Sequence, residues 1–309
     1  MGLLLWRNMS NKLRLAIYYE NRLGRNDGNP LYVYASLKRL QEKGILELDH
    51  LIPTGDLGTF GDYDASIWVD WGEDALTGLL PYKPIYPPPH RPLVYWCSDS
   101  HLGYDYRLQC AKEADIVFCA QKRAVEEFKK DGINNPIWLP HAVEPLAYPR
   151  YEIPGKKYDV CFVGHVNSPN RIDALDRLFK DFPNFYYGQR LFEDAARKYA
   201  ESKICFNISM KDDLNMRTFE IMATGSFLLT SWIPTIEEFF KDGVHLALYK
   251  DQDEMIDKAK YYLEHDEERE WIAREGYHEV IKNHTIDHRV NIMLDQIKIF
   301  NESKALLEA

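Results

Sequence analysis

The sequence lacks any paired-cysteine motif. Its five cysteines, Cys97, Cys110, Cys119, Cys161 and Cys205, form no C-x-x-C pair and show no zinc-ligand spacing. An odd count without metal spacing fits reduced, buried thiols in a cytoplasmic protein and excludes a disulfide framework. Long hydrophobic runs are also missing. The N-terminal stretch "MGLLLWRNMSNK" holds four large apolar residues in a row, too few for a signal-peptide core or a membrane span. Trp6 stands where an N-myristoylation signal has Ser or Thr. No run of five or more like charges is present, so no charged tail is expected. Positive charge is the scarcer sign: 38 Lys and Arg against 48 Asp and Glu give a net charge of −10. That balance disfavours non-specific binding to nucleic acid or anionic membrane, while leaving room for a local basic patch. The dinucleotide fingerprint G-x-G-x-x-G is absent, which argues against NAD.

What is present points to an enzyme-sized α/β protein. A chain of 309 residues fits about two domains, and 45% apolar with 28% charged residues is ordinary globular composition. Aromatics are plentiful, at 7 Trp, 20 Tyr and 14 Phe. They fill cores, and they also line carbohydrate- and base-binding clefts.

Strand-like and helix-like runs alternate almost throughout. Segments 13–19, 44–51, 65–71, 92–98 and 115–120 read as strands, with a helix opening at Pro30 and another closing at Gly132. A proline-rich stretch over 139–157 then interrupts the rhythm. It resumes with strands at 158–164, 184–188, 203–209, 226–231 and 245–250, and a helix over 190–202. The last sixty residues are helical. Met255, Ile256, Ala259, Tyr262 and Leu263 form one apolar face, and Trp271, Ile272, Val280 and Ile281 the next. Gly276 allows a close helix contact. Such a rhythm predicts βαβ units, parallel sheets and two α/β domains. The expected boundaries are 1–145, 155–285 and a C-terminal helix, 286–309, packing back on the first domain. Two such sheets would bind ligand at a cleft facing their C-terminal strand ends.

Three constellations sit at strand ends. In "CFVGHVNSPNR" (161–171), Gly164 allows a tight turn, His165 follows, and Ser168-Pro169 open a helix carrying Arg171 in its first turn. Helix-start amides and a guanidinium can hold phosphate; an ordinary βα turn with a surface Arg is the alternative. In "DLNMRTFEIMATG" (213–225), a short helix begins near Asn215 and puts Arg217 and Glu220 on one face. A surface ion pair between them is the default reading. The flanking apolar segments argue instead that the helix is largely buried and that both charges need partners. Phosphate suits Arg217, and ribose hydroxyls suit Glu220. In "VYWCSDSHLGYD" (94–105), a strand ends at Asp99, with His101 two residues on. Asp99 either caps the following helix or serves as a base, and His101 is the competing base.

The segments "YDVCFVGHVNSPNR", "NMRTFEIMATGSFLLTS", "EEFFKDGVHLALYKDQDEMIDKAKYYLEHDEERE" and "EGYHEVIKNHTIDHRV" resemble the C-terminal half of GT-B-fold glycosyltransferases of the group-1 type, nearest to the spore-maturation-protein-like branch. A looser resemblance is to phage DNA β-glucosyltransferases. The resemblance implies two Rossmann-like domains facing across a cleft. It implies transfer of a sugar from a nucleotide-sugar to an acceptor hydroxyl.

 It names UDP-sugar as the expected co-substrate, with no separate cofactor and no catalytic metal. Ser98-Asp99-Ser100 and Lys211-Asp212-Asp213 make no convincing acidic metal loop. By resemblance, Glu220 holds the donor ribose, while Gly164, His165, Arg171, Asn215, Arg217 and Thr230 line the donor site. Asp99 is the base, as an Asp after an N-domain strand is in the phage enzymes. Asp212 stands at the signature's earlier acidic position, and Arg190 or Lys211 nearest its lysine. The Gly-rich loop Gly24–Asn29 would lie close to the donor phosphates, and His141 and Glu144 near the cleft floor.

The acceptor is open: a glycan, a small molecule, a protein or modified nucleic acid. The donor-half resemblance implies retention and an Asp base suits inversion, so both stereochemical outcomes stand. A catalytically weak nucleotide-sugar-binding protein, a nucleotide-sugar epimerase and a glycosyltransferase of modified DNA bases are the alternatives.

Overall fold

The structure is a computed structural model, which describes residues 12–18, 28–51, 62–70, 90–100, 103–166, 168–210 and 213–308. The chain divides into two compact units. One comprises Met1–His141 with Ile286–Ala309, the other Ala142–Thr285.

The first unit is built on six parallel strands: β1 (Leu13–Tyr18), β2 (Leu46–Leu51), β3 (Ala65–Val69), β4 (Leu93–Cys97), β5 (Ile116–Cys119) and β6 (Ile137–Trp138). Their order is β2-β1-β3-β4-β5-β6. Central β4 and β5 are buried at every residue, because a parallel strand covered on both faces has no solvent side. Edge strand β2 instead buries Leu46 and Leu48 and exposes Glu47 and Asp49. Helices α1 (Asn29–Glu42), α2 (Tyr104–Lys112) and α3 (Lys122–Lys130) belong to this unit. So does the C-terminal helix, α9 (Ile286–Glu308). It is fastened to α1 through Asp287, whose carboxylate accepts from Ser36 at 2.5 Å and Arg39 at 2.6 Å. Arg289 donates to the carbonyls of Pro140 and His141.

A charge is buried inside this unit. Arg107 of α2 is fully enclosed, and its Nε donates to the Asp70 carboxylate just past β3 at 2.5 Å. Burial works against the guanidinium's charge, and the Asp70 carboxylate more than offsets it, so the Arg107 pKa is raised.

The second unit has five parallel strands in the order β11-β10-β9-β7-β8. They are β7 (Tyr158–Val163), β8 (Phe185–Gly188), β9 (Ser202–Asn207), β10 (Leu228–Ser231) and β11 (Ala247–Tyr249). The helices are α4 (Pro169–Asp181), α5 (Phe192–Ala200), α6 (Met216–Ala223), α7 (Gln252–Glu264) and α8 (Asp266–Asn283). Val160, Phe162, Ile204, Phe206 and Leu229 of the sheet pack with Leu178 of α4, Met255 and Ala259 of α7 and Ile272 of α8. The chain passes from β7 to β8 on one side, then returns past β7 to β9 on the other. That reversal opens a crevice at the carboxyl ends of β7 and β9, where open α/β sheets take their ligands.

Two expectations from the sequence are corrected. The helix expected over 190–202 is Phe192–Ala200, because Ser202 already pairs in β9 and its hydroxyl donates to the Lys198 carbonyl. Trp271 is 38% exposed and not a core residue. The buried stripe of α8 runs through Ile272, Ala273, Gly276 and Val280, and residue 271 falls about 100° off Ile272. Gly276 does serve a close contact: a Cβ there would sit 2.2 Å from the His245 carbonyl oxygen. All five cysteines are free and buried. Among the described residues, no helix is long and apolar enough to cross a membrane.

Replacing Asp70 by Ala strands the Arg107 charge in the core. The expected loss is about 3–5 kcal/mol, read from urea unfolding. The second unit carries an acid-sensitive clasp at Glu201. Burial alone would raise this carboxyl, but hydrogen bonds from Lys157 and Lys198 outweigh it and hold the pKa below 4.5. Its stabilising contribution is therefore complete above the unfolded value and fades as pH falls through the lower folded value. Glu201→Gln should flatten the decline in urea midpoint between about pH 6 and about pH 3; an unchanged acid limb would refute this.

Candidate active site

The crevice between β7 and β9 is organised around one side chain absent from the expected set. Asn207, the last residue of β9, is fully buried. Its Oδ1 accepts from the Arg217 guanidinium at 2.9 Å. Its Nδ2 lies 3.1 Å from the Thr230 hydroxyl, 3.3 Å from the Thr218 hydroxyl and 3.3 Å from Asn215 Oδ1. Its carbonyl accepts from the Tyr249 hydroxyl. One residue, through its side-chain amide and its backbone carbonyl, thus ties together the ends of β9, β10 and β11 and the first turn of α6.

Arg217 lies partly buried over Phe162, with its guanidinium carbon 4.9 Å from the ring centroid. It fits because residue 164 has no side chain. A Cβ on Gly164 would stand 2.1 Å from an Arg217 terminal nitrogen. Gly164 also has φ +153, a conformation side-chain-bearing residues rarely adopt. Arg217 takes Asn207 as its hydrogen-bond partner, so the surface pair with Glu220 does not form. Glu220 follows one turn later on α6 and is half-buried. Its charge is felt at Tyr199, whose phenol is pushed up by burial first and by Glu220 second. Gly225 ends the helix at φ +71, its N–H closing onto the Met222 carbonyl.

Arg171 has a different placement from the one its sequence position suggests. It is 5% exposed and turned inward, donating to the carbonyls of His165 at 2.8 Å and Ile208 at 3.0 Å. Those carbonyls belong to the loops leaving β7 and β9, so Arg171 staples the two walls of the crevice together. Burial, and then the neighbouring Arg217 charge, bring its pKa down to about 10. Thr230 is likewise fully buried beneath Asn207 and supports that amide. Neither side chain is displayed on the surface of the crevice as the sequence reading expected. His165 is exposed beside Gly164, and Asn215 is the N-cap residue of α6. Asp212 and Lys211 lie outside the described residues.

In the first unit, Asp99 follows β4 and is half-buried. It does not cap α2, whose N-cap is Gly103. The turn around it is pinned on both sides: the Ser98 hydroxyl donates to the Asp70 carbonyl, Gln121 donates to the Ser98 carbonyl, and the Ser100 N–H donates to Gln121. A carboxylate oxygen of Asp99 and a ring nitrogen of His141 lie within 4.8 Å of one another. His141 is buried, with its Nδ1 3.0 Å from the Asn29 side-chain amide. Glu144, in the second unit, is buried and accepts from the Leu146 N–H. His101 and residues 24–27 of the Gly-rich loop lie outside the described residues.

Comparison with known proteins fits this geometry. Residues 142–295 match the family described as Glycosyl transferase-like. The chain is 20% identical to spore protein CgeB of Bacillus subtilis (strain 168), over 82% of this chain and 86% of the relative. Among solved structures it is similar to Anabaena Alr3699/HepE in complex with UDP and glucose, with a TM-score of 0.59 at 12% identity over 93% of this chain and 99% of that one. It is similar too to the DNA modifying enzyme beta-glucosyltransferase, studied with and without uridine diphosphoglucose, with a TM-score of 0.60 at 14% identity over 92% and 99%. With parallel sheets in both units, the chain has the GT-B fold, and its residues 142–295 are similar to the glycosyl transferase-like family.

Proposed function

We propose that this protein is a glycosyltransferase that moves a sugar from a nucleotide-sugar, UDP-sugar foremost, to an acceptor hydroxyl. The observation that carries the reading is the Arg217 guanidinium, held at the switch point of the second sheet by a neutral amide, in space left by Gly164. A nucleoside diphosphate is the leaving group of such a reaction, and its negative charge grows as the glycosidic bond breaks. A cation fixed in advance stabilises that charge without reorganising. Glu220, one turn along α6, would accept hydrogen bonds from ribose hydroxyls. His165 and Asn215 border the same crevice.

Asp99 is the proposed base. The acceptor oxygen bonds to the anomeric carbon, its proton passes to the Asp99 carboxylate, and the electron pair of the breaking bond leaves with the diphosphate. Serine and glutamine contacts on either side hold the Asp99 turn in place. The transfer is proposed to need no metal.

UDP should raise the unfolding midpoint of the protein, since it binds the native state. Arg217→Ala should weaken UDP binding about ten- to a hundredfold, the worth of a charged hydrogen bond. Gly164→Ala should weaken it comparably by displacing the same guanidinium. If neither UDP nor UDP-sugars shift the midpoint of the unmodified protein, the reading fails. Slow UDP release from UDP-glucose, with water as acceptor, measures turnover. Asp99→Asn should reduce it at least about a hundredfold while UDP binding persists, and EDTA should leave it unchanged. Binding with no UDP release would instead favour a binding-only protein.

A further inference from the structure

Both ends of the Asn207 side-chain amide have hydrogen-bond partners. Arginine has donors only, so the atom facing Arg217 is the amide oxygen, and the amide orientation is set by its partner. The nitrogen then faces the hydroxyls of Thr230 and Thr218, both fully buried. An aspartate would have the same shape in this position. It would accept from Arg217 equally well, the two threonine hydroxyls could turn to donate to it, and the Asn215 amide, whose Oδ1 lies 3.3 Å from the Asn207 nitrogen, could flip to donate as well. Packing and hydrogen bonding therefore do not require an amide here.

Charge does. Among the described residues, the hydrogen bond of Arg217 goes to this neutral amide and to no carboxylate. It also lies over the Phe162 ring. The nearby Arg171 is already engaged by two backbone carbonyls, which are neutral as well. Both guanidinium groups lie over the Phe162 ring, at 4.9 Å and 5.7 Å. Arg217 keeps its positive charge while the amide holds it still.

We propose that Asn207 is a positioning residue that aims Arg217 and, by being neutral, reserves its charge for an anionic ligand of the diphosphate class. This rests on the reading of the crevice as a nucleotide-sugar site. Its particular claim is that charge at position 207, apart from shape, sets anion affinity.

The test measures UDP binding by calorimetry at low and high salt for the unmodified protein, Asn207→Asp and Asn207→Ala. Asn207→Asp should fold with an unfolding midpoint no lower than that of the unmodified protein. It should bind UDP at least about tenfold more weakly, with a shallower salt dependence, because the new ion pair neutralises Arg217. Asn207→Ala loosens the aim and leaves the charge, so it should lose less affinity and keep the steeper salt dependence. The inference is overturned if Asn207→Asp binds UDP as tightly as the unmodified protein, if it fails to fold, or if Asn207→Ala loses as much as Asn207→Asp. Absence of UDP binding in the unmodified protein would overturn the reading of the site itself.

Discussion

The contact between Asn207 and Arg217 constrains the rest of the second unit. For the guanidinium to reach that amide it must cross the face of Phe162, and it can do so only where the chain leaving β7 has no side chain. The phenylalanine and the asparagine belong to the neighbouring parallel strands β7 and β9, the glycine directly follows β7, and the arginine lies on the helix that follows β9. Strand order, helix start and the missing Cβ all converge on one cation. Arg171 completes the frame from beneath by tying the two strand-end loops to each other.

Arg107 and Arg217 differ in a way that follows from their partners. Arg107 meets a carboxylate and forms a closed pair, which is a structural solution to a buried charge. Arg217 meets an amide and remains a net positive centre. The same side chain thus serves stability in one unit and, on the proposed reading, recognition in the other. The difference lies in a single neighbouring functional group.

Much of the fold was legible because parallel strands buried on both faces are nearly continuous apolar runs. "IVFCA" and "YDVCFVG" announce β5 and β7 directly. The helix of Arg217 and Glu220 was legible from its brackets, an apolar run on one side and a terminating glycine on the other. What escaped was orientation. Sequence placed Arg171 in a first helical turn, where a cation could face outward, but the carbonyls of His165 and Ile208 draw it inward. Thr230 sits at a strand end, yet Asn207 lies over it. Asn207 itself left a signal, a polar residue closing the apolar run "KICFN". Its importance depends on what β7, β10 and α6 place around it, and those contacts are distant in sequence. Trp271 was assigned to the core by hydrophobicity, whereas the phase of α8 gives that stripe to its neighbours.

The first unit is assembled from both ends of the chain: Ile286–Ala309 belongs with Met1–His141, and Ala142–Thr285 forms an uninterrupted body between them. Asp287 closes this arrangement by receiving Ser36 and Arg39 from α1. During synthesis, the middle body has all its strands and helices before the first unit acquires its last helix. The sheet of the first unit is therefore made before Ile286–Ala309, and the second unit has its opportunity to fold in between.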